Sequence, residues 1–283
     1  MFFQKKFITI FENENFKVEI ENKFNEIADI IRVLNVFIRD ELEKEDSEVI
    51  LMLTFLKKIQ ILISDHPHIM LNDLGKIYLL PSLSIDFIDT FKHELVHTYE
   101  ASLSQFEQFY KKKYLRFHRE GFFSRFFKKE YLQRKNILFF FKIMISEGFA
   151  NYLERSDRFH KINQNHHLLY AEAVSPVLSL KKSILDIKNL NSDYSFLYGS
   201  KNSNHAAYLI GEHIIDTILH SKTKISFLDL IEKQEEEILK LYEEVMINEL
   251  KLQPLITYSS GKGILDYKQT IREWHELRKK EKK

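Results

Sequence analysis

The 283-residue sequence contains no cysteine, and that absence removes disulfides, thiolate metal ligands and a cysteine nucleophile together. Any strong metal site must then be built from histidine and carboxylate. Glycine and proline are scarce, at 7 and 4 residues, which suits long helices. Charge of one sign is missing as well. Lys and Arg total 42 against 41 Asp and Glu, a net of +1, so the global balance points to neither nucleic acid nor an acidic substrate. Apolar runs stay far below the roughly 18 residues of a membrane span. The run at residues 138–145 is broken by Lys142, and the opening run from Phe7 to Phe11 ends at Glu12, too short for a signal sequence. A cytoplasmic location is the expectation that follows.

Apolar residues are plentiful, at 44% of the chain with 24 Phe and 13 Tyr. That is ample for one large domain, or a domain with an appendage. Residues 7–11 and 16–20 alternate around the polar Glu12 to Asn15 and predict a hairpin. Phe24, Ile27, Ile30, Ile31, Leu34 and Phe37 recur at helical spacing within 21–43. Residues 59–64 and 76–81 read as short strands, and 85–104, 166–188, 202–220 and 226–250 as helices. The organisation expected is an N-terminal hairpin with helices over 1–57, then one larger domain over 58–283.

Two short stretches carry the chemistry. The first is His93-Glu94-Leu95-Val96-His97. On a helix, residues four apart stack on one face, so two imidazoles can address one point roughly 2 Å from each. Glu94 sits about 100° round from His93, placed to accept a proton from a water at that point rather than to ligate there. The motif is short, so its setting counts: residues 85–104 lack Pro and Gly and follow Ser82 and Ser84, both suitable N-caps. The second stretch, Glu147-Gly148-Phe149-Ala150-Asn151-Tyr152, offers an oxygen ligand and would leave one zinc position open.

Together these stretches resemble the gluzincin metallopeptidases of the peptidase MA-like type, whose third ligand lies in an E-G-x-A-x-Y helix. The resemblance implies a zincin-like, helix-rich α+β fold, with a small mixed sheet over the active-site helix and a mainly helical C-terminal half. It implies one zinc ion held by His93, His97 and Glu147, with Glu94 as general base in the hydrolysis of a peptide or protein substrate. Asn151 stands where thermolysin-like relatives place an Asp that orients a ligand histidine. Its carbonyl can accept the same bond but carries no charge. Tyr198, His205 and Tyr208, in a segment resembling the family's Y…G-y-x-x-G, are the candidates to steady the oxyanion, with a core or capping role as the alternative for each. Ile271 to Trp274 resembles the single-Trp helix that closes such domains.

One departure narrows the activity. Related aminopeptidases hold the substrate amino terminus with a G-x-M-x-N segment, and the corresponding stretch here is Gly75-Lys76-Ile77-Tyr78-Leu79. An endopeptidase is therefore expected over an aminopeptidase. The alternative is a zincin-like binding module without activity, against which the intact Glu94 argues.

Residues 105–142 stand apart from the rest. They hold eleven Lys or Arg and three Glu, so 11 − 3 = +8, and the remaining chain carries 1 − 8 = −7. Thirteen Phe or Tyr are interleaved with those charges. Aromatics packed on the core with lysines in water is the plainest reading. The alternatives are a lid or substrate-selecting wall over the cleft, or contact with an anionic membrane surface or nucleic acid.

Overall fold

A computed structural model describes residues 7–22, 27–63, 75–79, 87–103, 141, 144–155, 166–185, 206–270, 272–273 and 276. Tyr198, His205, Trp274, Ser82, Ser84 and all but Phe141 of the basic aromatic segment 105–142 lie outside these residues. The chain is helix-rich with a small mixed sheet, in keeping with an α+β class. Contacts divide it into two compact units. The helix of residues 144–155, called α4 below, belongs to both: Leu153–Arg155 cluster with the first unit, and the part up to Tyr152 with the second.

The first unit is built on four strands in the order β1-β2-β3-β4: Phe7–Glu12, Lys17–Glu21, Lys58–Ile63 and Lys76–Leu79. β1 and β2 form the antiparallel hairpin, with a bulge between Thr9 and Phe11. Its turn is fixed by Asn13, whose side-chain oxygen accepts the N–H groups of Asn15 and Phe16, both at 2.9 Å. β2, β3 and β4 then run parallel, so strands on either side of residue 57 share one sheet.

Register follows from the period of two along each strand. Val18 pairs with Ile59, Ile20 with Ile61, Ile61 with Ile77, and Ile63 with Leu79. All of these are buried, giving one continuous apolar face. Intervening positions hold the polar pairs Glu19–Gln60 and Gln60–Lys76, and the apolar Leu62 opposite Tyr78. Glu19 lies 2.9 Å from Lys58 Nζ and accepts a hydrogen bond from Gln60. Burial opposes ionisation of Glu19, yet the hydrogen bonds from Lys58, Gln60 and Lys17 outweigh it and hold its pKa below the usual value.

A parallel return needs a crossover. Here α1 (Ile27–Leu42) and α2 (Glu48–Leu56) supply it between β2 and β3. α1 buries Ile27, Ile30, Leu34 and Ile38, a stripe at spacings of three and four. α2 starts at Ser47, whose hydroxyl accepts the Ile50 N–H and donates to the buried Glu41. α3 (Phe87–Ser102) follows β4 and packs against it and α2. Phe87, Phe91, Leu95 and Tyr99 form its buried stripe, which leaves the histidines on the adjoining, half-buried face.

The second unit is helical. It contains α4 up to Tyr152, α5 (His166–Leu185), α6 (Ala206–Leu219), α7 (Phe227–Ile231), α8 (Glu235–Glu244) and a π-helical turn, Val245–Leu250. Two short paired strands close it, β5 (Ile256–Thr257) and β6 (Leu265–Asp266). The single helix expected over 226–250 is thus three pieces. Gln234 takes an extended ψ of 151°, and the two helices on either side of this break bury Phe227, Leu230 and Ile231, and Ile238, Leu239 and Tyr242, respectively.

His213 of α6 belongs to a buried polar chain. The Tyr242 hydroxyl is 3.0 Å from Nε2 of the fully buried His213 and accepts the Leu255 N–H at 3.1 Å. Burial pushes the Tyr242 pKa far up, so the hydroxyl keeps its proton. Tyr242→Phe strips Leu255 and His213 of this partner, and a loss of about 1–3 kcal/mol is expected in denaturant unfolding. An unchanged midpoint would show that the hydroxyl is replaceable.

Candidate metal centre

α3 places His93 and His97 one turn apart, and their rings meet edge to face with centroids 4.8 Å apart. Their Nε2 atoms lie 3.1 Å from each other. The ring edges turned away are backed by carboxylates. His93 Nδ1 is 3.0 Å from Glu154 Oε2, and His97 Nδ1 is 3.5 Å from Oε2 of the buried Glu100. An Nδ1–H donated to a carboxylate leaves Nε2 as the bare lone pair. With both imidazoles in that tautomer, two lone pairs would face one point.

α4 brings the third donor. His93, His97 and the buried Glu147 each offer one ligand atom, and these atoms all lie within 4.8 Å of one another. The group could hold a metal ion. Bonds of about 2.05 Å at a tetrahedral ion separate ligand nitrogens by about 3.3 Å, close to the 3.1 Å between the imidazoles. The 4.8 Å limit is wider, and rotation about the Glu147 side-chain torsions spans a difference of that size. Two imidazoles and a carboxylate, with no thiolate, suit a borderline ion such as zinc.

What fixes Glu147 is the glycine after it. A Cβ on Gly148 would lie 2.5 Å from the Gly211 carbonyl oxygen and 2.7 Å from Gly211 Cα. A Cβ on Gly211 would in turn strike the Met144 carbonyl oxygen and come within 2.9 Å of Gly148 Cα. α4 and α6 therefore cross backbone to backbone, as only paired glycines allow. Further along α4, Phe149 packs edge-on against Phe227 at 5.5 Å and Tyr152 stacks on the same ring at 5.9 Å.

The other expected residues fall as follows. Glu94 is half-buried on α3, next in the chain to His93, and its main-chain carbonyl accepts the Thr98 hydroxyl at 2.9 Å. Asn151 is buried on α4, one turn past Glu147. Tyr208 is half-buried in the first turn of α6, while Tyr198 and His205 lie outside the described residues. His220, at the end of α6, sits 3.1 Å from Asp216 Oδ1, and this hydrogen bond raises its pKa. Glu154 and Glu100 were not among the expected residues. The signal for Glu154 was its place seven residues after Glu147, two turns along and on the same helix face.

Among the described residues no helix is long and apolar enough to cross a membrane. No family model matches the chain, and no curated protein and no solved structure matches it either.

Proposed function

We propose that the chain is a zinc-dependent metallopeptidase of the gluzincin type, with a zincin-like catalytic fold. The observation that carries this reading is the convergence of His93, His97 and Glu147 on one point, with Glu94 on the same helix turn as His93. His93 and His97 would hold the ion through Nε2, and Glu147 through a carboxylate oxygen. Bound zinc polarises a substrate carbonyl and lowers the pKa of a water to about 7.

The chain's own residues supply the rest. Glu94 accepts the proton of the attacking water and passes it to the departing amine nitrogen, so one carboxylate serves as base and then as acid. Tyr208 is the described candidate to donate a hydrogen bond to the developing oxyanion. Among the described residues β4 ends the strand order of the sheet and packs against α3, so an extended peptide paired along it would run near the helix that carries the histidines. With no G-x-M-x-N segment on that strand to hold a free amino terminus, the reading is an endopeptidase acting on extended or unfolded segments.

Metal analysis of the purified protein, with a peptide-library digest, tests the proposal. About one zinc per chain is expected, with hydrolysis lost on chelation and restored by zinc. Zinc bound with no cleavage of any peptide would reduce the reading to a metal-holding binding module. Absence of zinc affinity would end it.

A further inference from the structure

We infer that His220 is a proton-operated tie between α6 and α4: charged, it fastens the C-terminal end of α6 and holds the ring of Tyr152 on α4, and neutral, it loosens both. The inference stands apart from the proposed metal site and involves none of its residues. His220 Nδ1 lies 3.0 Å from the main-chain oxygen of Asp216 and 3.1 Å from Asp216 Oδ1, four residues back along the chain. A ring nitrogen facing two acceptors is a donor, so Nδ1 carries a proton and a second one goes to Nε2.

Three features favour that second proton. The Asp216 carboxylate is only 14% exposed, so its attraction for an imidazolium beside it is incompletely screened by water. The carbonyls that end a helix carry partial negative charge, and α6 has no basic residue in its own last turn to meet it. The Tyr152 ring centre stands 6.1 Å from that of His220, at the reach of about 6 Å over which an aromatic face attracts a cation.

Among the described residues Asp216 is the charged group that acts on the imidazole, and its hydrogen bond raises the His220 pKa against the opposing effect of burial. Tyr152 is the titratable group that faces it from α4. Phe227 of α7, stacked on Tyr152 at 5.9 Å, brings no charge, and Lys222 and Lys224 in the turn after α6 are exposed. α4 and α6 also meet through Gly148 and Gly211, but that contact is backbone and has nothing to titrate. The contact through His220 is thus the one of the two that answers to pH.

The sign follows from the direction of the shift. A folded-state pKa above the unfolded value of about 6.5 gives a contribution fully present below that pH and lost as pH rises through the folded pKa. The tie is therefore closed in mild acid and released in mild alkali.

Urea unfolding of the full chain at about pH 6 and about pH 9 tests this in wild type, His220→Gln, Asp216→Asn and Tyr152→Leu. Relative to His220→Gln, the wild-type unfolding constant is expected to rise about two- to fivefold over that span. Asp216→Asn keeps an acceptor without the charge and should lose most of the pH effect, which covers the case of a folding defect in His220→Gln. Hydrogen exchange supplies a local readout that a merely structural role would leave level. Protection of the amides at 149–152, corrected for intrinsic exchange rates, should fall over the same span in wild type and not in His220→Gln or Tyr152→Leu. The same pH dependence of unfolding in wild type, His220→Gln and Asp216→Asn overturns the inference. So does a pH effect on unfolding that leaves protection at 149–152 unmoved, because His220 would then act on α6 alone. Zinc content bears on neither outcome.

Discussion

Glu94→Gln is expected to keep about one zinc per chain while lowering peptide hydrolysis by about 10²- to 10⁴-fold. The side chains are nearly the same size, so the helix should be undisturbed. The Thr98 hydroxyl bonds to the main-chain carbonyl of residue 94 at 2.9 Å, and that contact survives the change. The two imidazoles and Glu147 are untouched. What disappears is a carboxylate able to take a proton from the attacking water and return it to the leaving amine. An amide cannot do either, and the loss is that of one general acid–base group. Matched measurements of zinc content and single-peptide turnover would check it. Zinc retained with wild-type turnover would rule Glu94 out as the base, and with it the assignment of roles along this helix turn.

The parts of this arrangement that could be read in the chain are those governed by local periodicity. His93 and His97 share a face because they are four apart, and the buried Phe87, Phe91 and Leu95 show that the residues around them do form the predicted helix. β3 and β4 follow from alternation of the same kind, as does the hairpin before them. The failures belong to tertiary contact. Nothing local distinguishes one helix over 226–250 from the three segments found, because the break at Gln234 is set by which apolar face each piece must bury. Glu154 is likewise an ordinary helix-surface carboxylate until its helix meets the one carrying His93. Whether Asn151 or Glu154 reaches the imidazole depends on the rotation of α4 about its axis, and sequence spacing does not fix that rotation.

That rotation is set in the second unit by two glycines far apart in sequence, and Gly211→Ala is expected to show how much depends on them. The new Cβ would meet the Met144 carbonyl oxygen and lie within 2.9 Å of Gly148 Cα and N. All of these are backbone atoms, so no rotamer change relieves the clash and the two helices must separate. A destabilisation of about 3 kcal/mol is expected in denaturant unfolding, at the upper end of overpacking costs. Because Glu147 precedes Gly148 on the displaced helix, zinc affinity should fall as well. Hydrolysis should fall further, since a misplacement of about 1 Å can cost about 100-fold in rate. Gly261→Ala is the control. Its φ of +71° makes the change strained, at about 1 kcal/mol, but nothing lies within 4 Å of the added Cβ. That variant should lose stability and keep its zinc. If Gly211→Ala instead matched wild type in stability and zinc affinity, α4 and α6 would not cross as described, and the placement of Glu147 would lose its structural basis.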